Sequence, residues 1–191
     1  MKRILTKAFF DRPAVDVARD LIGAYVVRRH RGRTLAVMIT ETEAYDGPRD
    51  RASHAHRGLT PRTRPMFGPA GVLYVYFTYG MHWLMNVVTG PEGYPAAVLI
   101  RAGRFADPKT GAVRELKGPA LLARYLHIDG SASGRKAARP AGIWFEDRGV
   151  RIARSAISAS RRIGVDYAGP TWSRKPYNFR LSQNIDFLCK K

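Results

Sequence analysis

Residues 35–45 read Leu-Ala-Val-Met-Ile-Thr-Glu-Thr-Glu-Ala-Tyr, so apolar side chains fill every second position until two glutamates take their place. This period of two predicts a β-strand with two unlike faces. Strict alternation puts Glu41 and Glu43 on the face of the preceding apolar residues, opposite Ala36, Met38, Thr40 and Thr42. A carboxylate there is partly removed from water and suits acid–base chemistry if a cation lies nearby. The simpler interpretation, which alternation alone favours, is a strand that has emerged into solvent by Glu41.

The elements around this strand are short, and most of them are strands. A helix is predicted from an N-cap at Asp11 to Gly23, and another over residues 118–127. Residues 24–29 and 34–43 form one predicted hairpin, and residues 72–78 and 85–88 form a second. Further strands are predicted over residues 96–101, 142–145, 150–153 and 177–181, with a turn at 147–149. The predicted fold class is therefore α+β: a single domain, residues 1–191, with a curved antiparallel sheet, flanking short helices and a protruding β-hairpin.

Charge is the strongest signal in the composition. The 191 residues are 45% hydrophobic, which is enough for a core, and 33 Lys and Arg outnumber 15 Asp and Glu to give a net charge of +18. Such an excess predicts a polyanionic partner without separating DNA from RNA, or an enzyme from a binding module. Neither a membrane-length apolar run nor a signal-peptide core is seen, so we expect a cytoplasmic location, nucleoid-associated in a bacterium, and no membrane partner. The single cysteine, Cys189, is expected to be incidental.

The residues that follow the strand form an unusual combination. Glu41-Thr42-Glu43-Ala44-Tyr45 is followed by Gly47-Pro48, by His54, by an arginine-rich loop at 57–67 and by Tyr-Val-Tyr-Phe-Thr-Tyr-Gly-Met at 74–81, with Asn86 just beyond. This set closely resembles the alkyladenine, or 3-methyladenine, DNA glycosylase family. The likeness covers nearly the whole chain, through residues 9–15, 98–101, 117–119, 162–165, 168–169 and 174–176. It implies an enzyme of base excision repair that flips an alkylated or deaminated purine out of duplex DNA and hydrolyses its bond to the sugar.

The resemblance assigns the chemistry to two residues. Glu43 is implied as the general base that activates water and as the negative charge beside an oxocarbenium-like transition state. Arg101 is implied to orient Glu43 and the water. No lysine occupies the nucleophile position of the motif, which implies direct hydrolysis without a covalent imine. Without the resemblance, a structural ion pair at a strand end would be the preferred interpretation of Arg101.

The resemblance also implies how the base is held. Tyr45 and Tyr76 would stack on the flipped base, and His54 would lie at its edge. Asn86 would form the cavity floor and clash with the 2-amino group of normal guanine. Tyr79 would be the wedge that fills the hole in the duplex, with Met66 packed beside it. Core aromatics, an ordinary Tyr-Gly turn and a strand-end asparagine are the alternative interpretations of these residues.

DNA contact and metal binding complete the expectations. Arg57, Arg62 and Arg64, with Arg49 and Arg51 nearby, are candidates for contacts to the phosphate backbone. His54 and His56 form an H-x-H pair without an evident third ligand, so no metal and no cofactor are expected. The expected partner is double-stranded DNA that contains damaged purines, and a monomer suffices because one flipped base needs one cavity.

Two other functions stay open from the residues themselves. One is a non-catalytic, basic nucleic-acid-binding protein, and the other is a metal-dependent nuclease that uses Glu41, Glu43 and His54. A carboxylate paired with Arg101 favours the glycosylase over a binding module. The reach of Arg101 depends on how the loop at residues 90–95 folds, and the preference among hypoxanthine, ethenoadenine, 3-methyladenine and 7-methylguanine is left open.

Overall fold

The strands of this protein pair antiparallel in one continuous sheet in the computed structural model, which describes residues 2–182. The strands are β1 (Arg3–Ile4), β2 (Tyr25–His30), β3 (Arg33–Asp46), β4 (Leu73–Thr78), β5 (His82–Thr89), β6 (Ala96–Ala106), β7 (Val113–Lys117), β8 (Ile143–Asp147), β9 (Ile157–Ser160) and β10 (Asn178–Leu181). The α-helices are short: α1 (Lys7–Phe10), α2 (Ala14–Asp20), α3 (Pro119–Tyr125) and α4 (Gly169–Ser173). The predicted α+β class is confirmed. Cys189 lies outside the described residues.

The long strand β3 organises the sheet. The main strand order is β1-β8-β2-β3-β6-β5-β4, and β7 pairs with the far end of β6. The first half of β3 pairs with β2, whereas residues Glu41–Glu43 pair with β10 on one side while β6 runs along the other. Because strands cover both of its edges, the glutamate-bearing part of β3 lies in the interior of the sheet.

A β-bulge in β3 changes which way the glutamates point. The register of β3 against β6 shifts between Ile39 and Glu41 and again between Glu41 and Thr42. The adjacent residues Thr40 and Glu41 line the same groove, and the Thr42 hydroxyl donates to the Ala18 carbonyl of α2 at 2.8 Å. An extra residue in a strand interrupts the alternation of its faces. The expectation that the glutamates extend the apolar stripe is therefore wrong, because they face away from the helix α2.

Apolar packing holds the sheet against its helices. Val17, Ala18 and Leu21 of the α2 region are fully buried in one core with Val37 and Ile39 of β3. A separate small cluster lies under the start of the β4–β5 hairpin and consists of Ala55, Met66, Val72, Tyr74, Val88 and Ala97, with Phe67 and Tyr76 packed against it. This second cluster anchors the loop that carries His54 to the hairpin.

The β4–β5 hairpin is confirmed, and it ends in a strained turn. Tyr79 and Gly80 both have left-handed backbone angles, with φ of +50° and +68°. The Met81 N–H donates to the Thr78 carbonyl and closes the turn. Glycine adopts this conformation freely, whereas a tyrosine does so at some cost. The turn presents Tyr79 to solvent with 85% of its surface exposed.

Two details of the predicted elements are wrong. Asp11 does not cap α2: its N–H donates to the Lys7 carbonyl and ends α1, while Pro13 precedes the first turn of α2 without a side-chain cap. The segment 150–153 is not a strand, because β1 and β2 already occupy the two edges of β8 against which it would pair. The helix predicted over 118–127 and the strand predicted over 177–181 are both present, as α3 and β10. Within residues 2–182, no helix has the length and apolarity needed to cross a membrane.

Candidate active site

A cavity of about 340 Å³ opens between the β4–β5 hairpin and the segment that follows Arg162. It brings together most of the residues that the sequence singled out: Tyr45, His54, Met66, Tyr76, Tyr79, Asn86 and Arg101 all line it, together with Tyr74 and Tyr167. Glu43 lies directly behind this wall, in contact with Tyr45 and Arg101. The residues come from four strands and three loops, so the cavity depends on the sheet order described above.

Glu43 is fully buried, and both of its carboxylate oxygens are hydrogen-bonded. Oε2 accepts from the Tyr45 hydroxyl at 2.9 Å and from Arg101 Nη1 at 3.3 Å. Oε1 accepts from the Ile163 backbone N–H at 2.8 Å and from Asn178 Nδ2 at 3.2 Å. Burial raises the pKa of Tyr45 well above its ordinary range, so this hydroxyl keeps its proton and remains a donor. Four donors, one of them the Arg101 cation, compensate for the removal of the carboxylate from water.

Arg101 joins Glu43 to a second carboxylate. Its Nε donates to Glu41 at 3.1 Å while its Nη1 donates to Glu43. Glu41 also accepts from Asn178 at 2.9 Å and from two nitrogens of Arg180 at 2.9 and 3.2 Å. Burial alone would raise the pKa of Glu41, but these hydrogen bonds and the charge of Arg101 outweigh it, and the pKa is lowered. The loop at 90–95 thus leaves Arg101 within reach of both glutamates.

Aromatic side chains form one wall of the cavity. The His54 ring lies edge-on to Tyr76 with ring centroids 4.7 Å apart, and its Nδ1 shares a hydrogen bond of 2.9 Å with the Tyr74 hydroxyl. Burial, with the charges of Arg62 and Arg57, lowers the pKa of His54 to about 4. His54 is therefore a neutral imidazole near pH 7. Tyr74 is buried as expected, and its hydroxyl also fixes the orientation of His54.

Asn86 has a fixed orientation in β5. It is buried, and its Nδ2 donates to the Tyr74 carbonyl across the hairpin at 3.0 Å. This hydrogen bond holds the amide in the lining of the cavity.

Met66 is placed differently from the expectation. Only 2% of its surface is exposed, and it packs in the small cluster with Tyr74 and Val72. A side chain in that position lines the cavity and could enter a duplex only by leaving the core. The exposed methionine next to Tyr79 is Met81, at 67% exposure. Met66 is thus a buried residue of the cavity lining and is not exposed beside Tyr79.

The candidate backbone contacts lie at the rim. Arg57, Arg62 and Arg64 are exposed, and none of them has a carboxylate within ion-pair distance among residues 2–182. The Arg62 guanidinium lies over the Tyr76 ring, 5.2 Å from its centroid. His56 bonds the Pro48 carbonyl, so it points to a different partner from His54. In the described part of the chain, no three His, Cys, Asp or Glu side chains cluster in a way that could hold a metal ion.

Residues from the C-terminal part of the chain also hold the site together, and their roles are not evident from the sequence. Asn178 and the Ile163 N–H both bond Glu43, as described above. Arg162 is fully buried, donates to both oxygens of Asp50 and to the Ala44 carbonyl, and lies 4.9 Å from the centroid of the Tyr45 ring. The available signal was an asparagine inside a predicted strand and an arginine in the motif at 162–165, and neither pattern reveals its partner.

The sequence of this chain is similar to those of known proteins. Residues 8–185 match the model of the methylpurine-DNA glycosylase family. A protein of Anaeromyxobacter sp. (strain Fw109-5) is 46% identical over 180 residues, which cover 94% of this chain and 90% of that protein. A protein of Myxococcus xanthus (strain DK1622) is 44% identical over 183 residues, covering 95% and 92%. A protein of Carboxydothermus hydrogenoformans (strain ATCC BAA-161 / DSM 6008 / Z-2901) is 41% identical over 200 residues, covering 98% and 100%.

All three relatives carry the name "Putative 3-methyladenine DNA glycosylase". The family predicted from the sequence motifs is confirmed. This chain belongs to the methylpurine-DNA glycosylase family and is a DNA glycosylase, an enzyme that hydrolyses N-glycosyl bonds.

Proposed function

We propose that this enzyme excises alkylated or deaminated purines from duplex DNA in base excision repair, by flipping the base and attacking its sugar with an activated water. The substrate class comprises 3-methyladenine, 7-methylguanine, hypoxanthine and ethenoadenine. One observation carries the proposal: a fully buried Glu43, held by Arg101 and three further donors, stands directly behind a cavity lined with tyrosines. A protein that only bound nucleic acid would have no use for a buried carboxylate at this position.

The flipped base enters the cavity between aromatic side chains. Tyr45 and Tyr76 offer ring faces, and stacking on them favours electron-poor or cationic bases. His54, held neutral and fixed by Tyr74, presents a ring edge to substituents of the purine. Asn86, with its amide tied to the Tyr74 carbonyl, disfavours the 2-amino group of undamaged guanine. Recognition then rests on fit within a rigid cavity.

Hydrolysis proceeds by direct displacement. The water oxygen bonds to C1′ as the C1′–N bond breaks, the purine leaves with the electron pair, and the proton of the water passes to Glu43. The carboxylate also stabilises positive charge on the sugar in the transition state. Arg101, which bonds Glu43 and lines the cavity, orients both the carboxylate and the water. A cationic alkylated purine leaves as a neutral base and needs no further proton, whereas neutral hypoxanthine or ethenoadenine leaves as an anion that takes up a proton from solvent.

The β4–β5 hairpin and the rim of the cavity contact the duplex. Tyr79 at the exposed turn fills the gap that the flipped base leaves, and Arg57, Arg62 and Arg64 contact phosphates. One cavity serves one lesion, so the monomer is the working unit, in the compartment that holds the chromosome.

The decisive experiment measures strand breakage at a single lesion. Labelled duplexes with one hypoxanthine or one ethenoadenine are incubated with the protein in chelator and then treated with hot alkali. A break that appears only after alkali, and is lost in Glu43→Gln, is the expected result. Breakage before alkali would indicate a nuclease, and breakage that needs a divalent metal would restore the metal-dependent alternative. Tight binding without any break on these or on methylated duplexes would support the non-catalytic binding protein.

A further inference from the structure

Glu41 is the second buried carboxylate of the site, and the reaction described above does not use it. Only 5% of its surface is exposed. It lines a groove of about 200 Å³ on the far side of Arg101 and does not line the tyrosine cavity. Arg101 lines both spaces and separates them. Glu41 lies on the groove side of Arg101, so any effect that it has on the cavity passes through a residue of the wall that the two spaces share.

The contacts of Glu41 show which residue that is. Its Oε1 accepts from Arg101 Nε at 3.1 Å, on the opposite side of the guanidinium from the nitrogen that bonds Glu43. Its other bonds, from Asn178 and from two nitrogens of Arg180, hold the carboxylate in place. Asn178 also bonds Glu43, so one amide fixes the spacing between the two carboxylates.

The β-bulge makes this arrangement possible. Because the register of β3 shifts on both sides of Glu41, the side chains of Glu41 and Glu43 flank the same arginine of β6. A guanidinium is planar, so two hydrogen bonds to fixed oxygens set its orientation. Its third nitrogen, Nη2, has no hydrogen-bond partner among residues 2–182 and is the group left for water or DNA.

We propose that Glu41 is a positioning residue, which holds Nε of Arg101 so that one nitrogen of the guanidinium stays on Glu43 and the other faces the reacting water. This inference rests on the glycosylase function proposed above. It explains why a second carboxylate, Glu41, is buried beside Glu43 at a considerable desolvation cost. It also separates Glu41 from Glu43: one acts on the substrate, and the other acts only through Arg101.

The test is a double-mutant cycle on Glu41 and Arg101. Single-turnover rate constants for base release are measured on a hypoxanthine duplex for wild type, Glu41→Gln, Arg101→Gln and the double variant. We expect Glu41→Gln to slow base release by roughly tenfold to a hundredfold, with the Kd for the duplex unchanged. We expect the same substitution to cost nothing further once Arg101 is already glutamine. An equal loss in both backgrounds would overturn the proposed route through Arg101.

Control variants keep the test decisive. Glu115 lines the same groove but pairs with Arg104 and Lys117 instead of Arg101. The variant Glu115→Gln should therefore keep the wild-type rate. Should Glu41→Gln fail to fold, Glu41→Asp keeps the charge but shortens its reach, and a wild-type rate in that variant would overturn the proposal. An inactive wild-type protein would refute the glycosylase function itself, whereas an active wild type with an equally fast Glu41→Gln would refute only the role of Glu41.

Discussion

Glu43 shows how fully a few hydrogen bonds fix the position of one side chain. Each of its oxygens accepts two donors, so the carboxylate has a fixed position and no access to bulk water. Donors that are satisfied by a carboxylate cannot all be satisfied by an amide, because the amide brings an NH₂ group of its own. A near-isosteric change at this residue therefore tests both the reaction and the hydrogen-bond network.

We expect Glu43→Gln to lower the rate of base release by roughly a hundredfold or more, the typical contribution of a positioned general base. Affinity for lesion duplex should stay close to the wild-type value, since Glu43 lies behind the cavity wall. A modest loss of stability, about 1–3 kcal/mol, should accompany the buried donor that the amide introduces. Single-turnover kinetics, fluorescence anisotropy and urea unfolding measure the three quantities. Near-normal base release would exclude Glu43 as the base.

His54 gives a prediction about stability and pH. Its pKa is lowered from 6.5 to about 4 in the folded protein by burial and by Arg62 and Arg57, so the unfolded chain binds more protons between these values. The contribution of the neutral imidazole is complete above the unfolded pKa and is lost as the pH falls towards the folded one. We expect the free energy of unfolding of His54→Gln to change less across this window than that of wild type. Parallel curves from urea titrations would contradict the burial of a neutral His54.

At the scale of elements, the β4–β5 hairpin combines a rigid base with a strained tip. Tyr74 and Val75 are buried at its base, whereas Tyr79 is 85% exposed with a φ of +50°. A tyrosine gains nothing from its own packing there, and asparagine tolerates the same backbone better. The side chain is therefore retained against local backbone preference, as expected of a group that contacts a partner.

We expect Tyr79→Asn to preserve or slightly raise the stability of the protein while weakening the binding of lesion duplex more than that of undamaged duplex. The matched control Tyr79→Phe keeps the ring and should bind like wild type. Anisotropy titrations on the two duplexes, with thermal unfolding of each variant, make the comparison. Equal losses on both duplexes would show that Tyr79 has no role specific to the flipped state.

Element by element, the sequence predicts what local pattern determines. The hairpin of β4 and β5, the helix α3 and the strand β10 follow from periodicity and turn residues, and all three are present. The bulge at Thr40 could not be predicted, because it arises from pairing with β6 and leaves no local mark. The absence of a strand at 150–153 could not be predicted either, because it arises from β1 and β2 occupying both edges of β8.

The candidate site, like the fold, could be predicted only in part from the sequence. Motif resemblance placed Glu43, Tyr45, His54, Asn86 and Arg101 in one region, and the fold brings them together. It did not identify Asn178 or the Ile163 N–H, since a hydrogen bond between residues more than a hundred positions apart is a property of the folded chain alone. The burial of Met66 could not be predicted either, because exposure cannot be derived from a motif when a cluster of residues distant in sequence covers the side chain.

At the scale of the whole molecule, the net charge of +18 governs the encounter with DNA. Affinity for a duplex should fall linearly with the logarithm of salt concentration, by roughly 0.9 in log units for each phosphate contact. We expect Arg57→Gln, Arg62→Gln and Arg64→Gln each to reduce that slope by about one, equally for lesion and undamaged duplex. Arg3→Gln, on the edge strand β1 at the opposite end of the sheet from β4, is the matched control and should keep the wild-type slope. Unchanged slopes in the rim variants would exclude this loop from the phosphate contacts.

The donors to Glu43 also determine when, during synthesis of the chain, the site can be completed. The ribosome adds Ile163 120 residues after Glu43, and Asn178 135 residues after it. A nascent chain that already carries the hairpin, Tyr45 and the arginine-rich loop still lacks two of the groups that hold Glu43 in position. Because synthesis runs from the N-terminus, we expect the hydrogen bonds around Glu43 to be completed only after β10 has paired with β3.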